Sequence, residues 1–241
     1  MLASTIAVTG LLLSTLLVDE ASARRRPPKP PPPPPSSCQG YYGLTFDDGP
    51  VPMSAQYISA LKTAGAKATF FVNGYRIAQY PGYIEQMAAA GNYVNNHTEN
   101  HDDLRYMDAT TFNYEIDKTN ERLLAAGIDT ILLRPPYGGT NADVRAKIEA
   151  KGYLQTMWSV DTKDWEADAT VSRNVSMALT VQNGGILLMH ENKPNTLNAI
   201  PQIVSQLKSQ KGLCPGKIVK SSTERPTDRP DLTMNVVAVA P

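Results

Sequence analysis

Residues 41–50 read Tyr41-Tyr42-Gly43-Leu44-Thr45-Phe46-Asp47-Asp48-Gly49-Pro50. Tyr42–Phe46 is strand-like, and it ends on two adjacent acids followed by a Gly-Pro stop. Outward from it, short apolar runs alternate with longer amphipathic ones. Strand-like runs recur at Ala68–Val72, Asn92–Asn95, Ile131–Leu133, Tyr153–Val160 and Gly185–Met189. Between them, helical patterns cover Ser54 (as a cap) to Ala64, Gly82–Ala90, Thr110–Ala126, Asn141–Lys151, Thr170–Gln182 and Asn195–Gln210. The Thr110–Ala126 segment places Phe112, Ile116, Leu123 and Leu124 along one side. This alternation predicts a single-domain α/β fold: a parallel sheet wrapped by helices and closed, or nearly closed, into a barrel. Chemistry in such folds collects at the carboxyl ends of the strands.

The chain has 241 residues with 23 basic and 23 acidic side chains. Residues 1–23 read as a signal peptide, because the apolar stretch Leu2–Val18 precedes the small-x-small site Ala21-Ser22-Ala23. No Lys or Arg precedes the stretch, so an uncleaved anchor is the alternative. Residues 24–37 form an Arg/Pro-rich linker, since a proline run adopts extended polyproline II and cannot pack. Without leader and linker the remainder carries a slight acidic excess, which argues against binding a phosphate backbone. Residues 38–220 are the expected folded domain. The tail, 221–241, is polar and then apolar at Val236–Val239, an edge strand or a loose end. Cys38 and Cys214 stand at the two ends of the domain, and neither has a Cys or His at metal-ligand spacing. With an export signal they read as a disulfide.

Three histidines are present. His97 and His101 are four residues apart just after a predicted strand, a spacing that lets two imidazoles reach one metal ion but also arises on ordinary surfaces. His190 ends the apolar run Ile186–Met189 and reads equally as a core residue. Asp47 and Asp48 repel one another unless a cation or arginine is near; without one, the segment is an Asp-rich turn. One carboxylate with two imidazoles makes a three-ligand site with open positions, the pattern of catalytic zinc. The other carboxylate is then free to act as a base. Arg134-Pro135-Pro136-Tyr137-Gly138 is a rigid loop suited to holding an arginine against a carboxylate and a backbone N–H at an oxyanion. Asp161-Thr162-Lys163-Asp164-Trp165 supplies further carboxylates and an indole. Each segment alone is an ordinary loop; five polar clusters at five strand ends are not.

These segments, in this order, resemble the five motifs of the polysaccharide deacetylases (NodB-homology domain, carbohydrate esterase family 4). They are Thr45–Pro50, His97–His101, Arg134–Tyr137, Asp161–Trp165 and Leu188–His190. The resemblance spans about Cys38 to Lys220. Cys38-Gln39-Gly40 and Gly212-Leu213-Cys214 are similar to the ends of secreted actinomycete acetylxylan esterases, in which those cysteines are bridged. The resemblance implies a distorted (β/α) barrel. It implies a divalent metal, zinc or sometimes cobalt, on Asp48, His97 and His101. It implies Asp47 as general base held by Arg134, and His190 as general acid oriented by Asp164. Trp165 and Leu188 are implied around the acetyl methyl, and the Tyr137 amide in the oxyanion hole.

The implied activity is metal-dependent hydrolysis of acetyl groups from a polysaccharide, with O-acetyl xylan favoured by the cysteine frame. N-deacetylation of chitin oligomers or peptidoglycan is the alternative, and a non-catalytic glycan-binding protein on the same fold is another. A metallopeptidase or phosphatase is disfavoured, as no H-E-x-x-H is present. The expected protein is a secreted monomer whose partner is the acetylated polysaccharide, with neither nucleic acid nor, after cleavage, a stable membrane association. The sequons at Asn96 and Asn174 are expected to carry no function at the first of these, which contains a proposed ligand.

Overall fold

The computed structural model describes residues 38–220 and 234–237. The leader, the proline-rich linker and most of the tail lie outside the described residues. In chain order the elements are β1 (Gly40–Gly49), α1 (Ser54–Thr63), β2 (Thr69–Val72), α2 (Gly74–Gln79), α3 (Tyr83–Ala89) and β3 (Tyr93–Asn96). There follow α4 (Ala109–Ala125), β4 (Leu132–Leu133), α5 (Ala142–Ala150), β5 (Leu154–Gln155), β6 (Val160–Asp161) and α6 (Val171–Ala178). The remainder is β7 (Ile186–His190), α7 (Pro194–Lys211), β8 (Leu213–Pro215), β9 (Lys217–Lys220) and β10 (Met234–Val237).

The main sheet runs β5-β4-β3-β2-β1-β7-β6, with β8 beside the start of β1. All its pairings are parallel. This is the α/β, barrel-like single-domain architecture expected from the alternation. The expected strand Tyr153–Val160 is not continuous. Its first part pairs with β4 at one edge of the sheet, and β6 pairs with β7 at the other. The residues between them carry carbonyls that the Arg134 guanidinium takes: Nε donates to Thr156 O at 3.1 Å and Nη2 to Met157 O at 3.2 Å. The strand is broken over the residues that wrap this guanidinium.

The two-residue period of the pleat sorts the side chains. Leu44 and Phe46 of β1, Phe70 and Val72 of β2, and Leu187 and Met189 of β7 pack outward against Tyr57 and Leu61 of α1 and Ile200, Ile203 and Leu207 of α7. The alternate residues Thr45, Asp47, Phe71 and Leu188 face the barrel interior. Burying each large apolar side chain is worth on the order of 1.5–3 kcal/mol. A one-residue slip would exchange that apolar set for the acids, so the register is strongly specified.

Smaller differences have local causes. Ser54 opens α1 rather than capping it, and its hydroxyl accepts from Val51 N at 2.8 Å. Asn141 does cap α5 through Val144 N. Leu124 and Ile131 are half exposed rather than inward. The helix α2 was not anticipated, and α6 ends at Ala178 instead of Gln182. In the tail, β10 pairs antiparallel with β9. Cys38 and Cys214 are bridged across 176 residues of chain, tying the start of β1 to β8. Among the described residues no helix is long and apolar enough to cross a membrane.

Candidate active site and metal centre

The carboxyl end of β1 is irregular where the chemistry gathers. Against β2, Asp47 pairs with Phe71 and Gly49 with Val72, leaving Asp48 as an extra residue. Asp48 has φ 69°, a left-handed conformation rare for a side chain of its kind. In an unbroken strand two consecutive acids point to opposite faces; the bulge lets both line one cleft. The other non-glycine residues with positive φ are Thr98, His101, Tyr137 and Lys163. All five stand in four of the five motif segments. Backbone strain of this sort, about 1–3 kcal/mol per residue, persists only where surrounding contacts over-determine it.

One carboxylate oxygen and two ring nitrogens converge. Asp48 Oδ1 lies 3.1 Å from His101 Nε2 and 3.6 Å from His97 Nε2, and the three ligand atoms lie within 4.8 Å of one another. His97 Nδ1 is 2.6 Å from the Arg134 carbonyl, which can only accept, so the proton is on Nδ1 and the Nε2 lone pair faces Asp48. Asp48 Oδ1 is buried without a hydrogen-bond partner. An orphaned carboxylate oxygen facing a nitrogen lone pair fits a divalent cation held by Asp48, His97 and His101.

Asp47 sits beside this trio, its Oδ2 3.7 Å from His97 Nε2. Its other oxygen accepts from Arg134 Nη1 at 2.7 Å, and the same Nη1 donates to Thr45 Oγ1 at 2.8 Å. Arg134 is fully buried, stacked 4.1 Å above the Phe71 ring and 5.6 Å from Trp158. A guanidinium enclosed by a carboxylate, three oxygens and two rings is immobile, and it fixes the position of the Asp47 carboxylate.

Across the cleft, His190 Nδ1 is 2.7 Å from Asp164 Oδ1, while the second Asp164 oxygen accepts from the His190 backbone N–H at 2.8 Å. Thr196 Oγ1 also donates to that oxygen at 2.5 Å. Burial alone would lower the imidazole pKa; the Asp164 hydrogen bond and charge dominate, with Asp47 and Asp48 adding to them, and lift it to about 9. His190 is therefore an imidazolium at neutral pH. Tyr57 Oη donates to the carbonyls of His190 and Lys193, holding the turn after β7.

The resulting cleft, about 380 Å³, is walled by Pro135, Tyr137, Trp158, Trp165 and Leu188, with Lys193 at its edge. Tyr137 and Trp165 are exposed, at 71% and 51%. The Tyr137 ring packs 4.6 Å from that of His101. Asp161 accepts from Lys163 N and Trp165 Nε1, which orients the indole. Every site residue anticipated from sequence is thus brought to one cleft or its support. Trp158, Thr196 and Tyr57 were missed: Trp158 lay within a segment read as strand, and the other two lie on helices outside any motif. Both sequon asparagines, Asn96 and Asn174, are fully buried, so neither presents a glycan acceptor.

Fold and site together define a class of hydrolase that gathers a carboxylate and an imidazole about a cation site at the strand ends of an α/β barrel. The polysaccharide deacetylase family profile matches residues 36–156. A family 4 carbohydrate esterase from Streptomyces lividans, solved in complex with acetate, superposes with TM-score 0.75 at 35% identity, covering 84% of this chain and 100% of that one. A bifunctional xylanase/xylan deacetylase of Cellvibrio japonicus is 34% identical over 186 residues, 76% of this chain and 28% of that protein. A peptidoglycan-N-acetylglucosamine deacetylase of Bacillus cereus is 32% identical over 180 residues, 69% of this chain and 65% of its own. The chain thus spans less than two thirds of either of these two relatives. It belongs to the polysaccharide deacetylase family, whose members are metal-dependent hydrolases.

Proposed function

We propose that this protein is a secreted, zinc-dependent deacetylase that hydrolyses O-acetyl esters of xylan. The observation that carries the reading is a carboxylate and an imidazole side by side in one cleft, each held by an opposite partner: Asp47 clamped by Arg134, and His190 hydrogen-bonded to Asp164. Asp48, His97 and His101 hold the divalent cation, zinc or in its place cobalt. When bound, that cation supplies Lewis acidity and lowers the pKa of water towards about 7.

Asp47, held by Arg134, accepts the proton of the attacking water as general base. The Tyr137 backbone N–H donates to the oxyanion that forms on the acetyl carbonyl; one such donor is typically worth about 3–4 kcal/mol. His190 gives its Nε2 proton to the departing sugar oxygen, and Asp164 stabilises the imidazolium before that transfer. Trp165 and Leu188 enclose the acetyl methyl and exclude water from it. The products are acetate and a free sugar hydroxyl.

An ester substrate is supported by the likeness to the Streptomyces lividans esterase over that enzyme's full length, and xylan by the xylan deacetylase relative and the cysteine frame. N-deacetylation of peptidoglycan or chitin oligomers is the second reading, favoured by the charged His190, because an amine leaving group needs the acid most. The apolar leader with Ala21-Ser22-Ala23, together with the disulfide, supports export. The protein acts as a monomer, with the acetylated polymer as its partner.

Acetate release from acetylated xylan, chitin oligomers and peptidoglycan, measured alongside metal analysis, tests this. Release from xylan, abolished by a chelator and restored by zinc, is expected. Release confined to the N-acetyl polymers overturns the xylan reading, and release from none of the three overturns the enzyme.

A further inference from the structure

Between the ligands His97 and His101 lie Thr98, Glu99 and Asn100, and this turn is held by one face of α4. Glu115, 1% exposed, accepts from the Asn100 backbone N–H on Oε2 at 2.8 Å and from Asn100 Nδ2 on Oε1 at 2.6 Å. The Glu115 carbonyl accepts from Glu99 N at 2.9 Å, and the Ile116 carbonyl from Asn96 Nδ2 at 3.1 Å. One and two turns further along, Thr119 Oγ1 donates to Glu99 Oε2 at 3.4 Å and Arg122 forks onto the Glu99 carboxylate, with Nη2 to Oε1 at 2.8 Å. Residues 115, 119 and 122 are spaced to share one helix face. From the other side, the first amides of α2 donate to the carbonyls of Thr98 and Glu99 at 3.0 Å each. A side chain at Gly74 would collide with the Glu99 carboxylate.

Two residues of this turn, Thr98 and the ligand His101, hold left-handed backbone at φ 68° and 64°. A free chain would relax out of both conformations. The Glu115 carboxylate grips the residue immediately before His101 through backbone and side chain at once. We propose that Glu115 is a positioning residue for metal binding: by gripping Asn100 it holds His101 where its Nε2 meets Asp48 and His97. This rests on the assignment of those three residues as the ligands.

The grip predicts a distinctive pattern of variants. Asn100→Asp, at an exposed position, sets two carboxylates against each other and should weaken zinc binding about tenfold, the lower end of what outer-shell changes cost. Its added negative charge alone would strengthen binding, so a loss reports geometry. Glu115→Gln retains both bonds if the Asn100 amide turns over, and should bind zinc close to wild type. The double variant Asn100→Asp/Glu115→Gln restores donor to acceptor and should recover most of the affinity. The measurement is the zinc dissociation constant by chelator competition, with the visible spectrum of the cobalt-loaded protein and the Tm of the metal-free protein in parallel. An Asn100→Asp protein with unchanged or tighter zinc affinity overturns the proposal, including when its metal-free Tm falls. A double variant no better than the single also overturns it. A wild type that binds no zinc refutes the ligand assignment itself, and this inference with it.

Discussion

Asp47 and His190 are register partners on the neighbouring parallel strands β1 and β7. In a parallel pair, partnered residues project to the same face, so a carboxylate and an imidazole stand side by side at the mouth of the barrel. Each is held from behind by an opposite charge, Arg134 for Asp47 and Asp164 for His190. Held in this way by opposite partners, one group is suited to take a proton and the other to give one.

Replacing Asp47 by Asn removes the proton acceptor and leaves Arg134 buried opposite a neutral amide. Turnover should fall by about 10²–10⁴-fold while zinc content stays at the wild-type level. Steady-state acetate release with metal analysis checks both halves; a near-wild-type rate would show that Asp47 is not the base.

Substituting His101 by Ala deletes one of three ligands. The variant should lose zinc to a chelator concentration that wild type withstands, and its activity should go with the metal. A fully loaded, active His101→Ala protein would remove His101 from the metal set.

The His190 imidazole is raised from 6.5 to about 9 chiefly by Asp164. A group whose folded pKa is raised contributes stability that is present below its unfolded value and lost as pH rises through the folded one. The same proton is the one given to the leaving group, so activity should fall on the alkaline side near pH 9. Asp164→Asn should move that limb down towards 6.5, making the loss of rate far greater at pH 8 than at pH 6. A pH–rate profile of the two proteins decides it.

Glu191 follows His190, is fully buried, and has neither carboxyl oxygen hydrogen-bonded. Burial pushes its pKa from 4.5 to about 8, with the Arg76 charge partly opposing and Asp48 adding to the rise. The folded protein therefore holds a proton between pH 4.5 and 8 that the unfolded chain has released. Stability should decline across that window by on the order of a few kcal/mol. Glu191→Gln should flatten the decline and melt above wild type at pH 8, with the difference vanishing near pH 4. Melting curves at both pH values test it; parallel declines in the two proteins would exclude Glu191 as the cause.

The bridge from Cys38 to Cys214 closes 176 residues. In the chain-entropy model such a loop is worth on the order of 4–5 kcal/mol. Reduction, or Cys38→Ser with Cys214→Ser, should lower stability by about 2–5 kcal/mol, read as a shift in the denaturant midpoint. The active-site hydrogen bonds lie at the far end of β1, so the folded variant should retain activity.

Much of this was open to inspection in the chain alone. Period-two and period-3.6 patterns are local, so β1, β2, β7 and the longer helices were readable, as was the placement of polar segments after strands. The anticipated site residues could be picked out because each sits in a short motif whose composition is unusual for its position; eight line the cleft, and Arg134 and Asp164 support it from behind. The break at Met157–Trp158 and the helix α2 were not readable. A strand interrupted where the chain meets an arginine distant in sequence leaves no periodic signal, and a six-residue helix packed on a turn is too short to show one.

What the sequence by itself determined is which chemical groups are present and which strand end carries each. What only the tertiary structure decided is how they face one another: the bulge that turns Asp47 and Asp48 into one cleft, the burial of Arg134 against Phe71 and Trp158, and the grip of Glu115 on Asn100. Those depend on contacts between residues far apart in the chain. Hydrogen bonds and packing energies are set by distances in space, and one-dimensional order does not contain them.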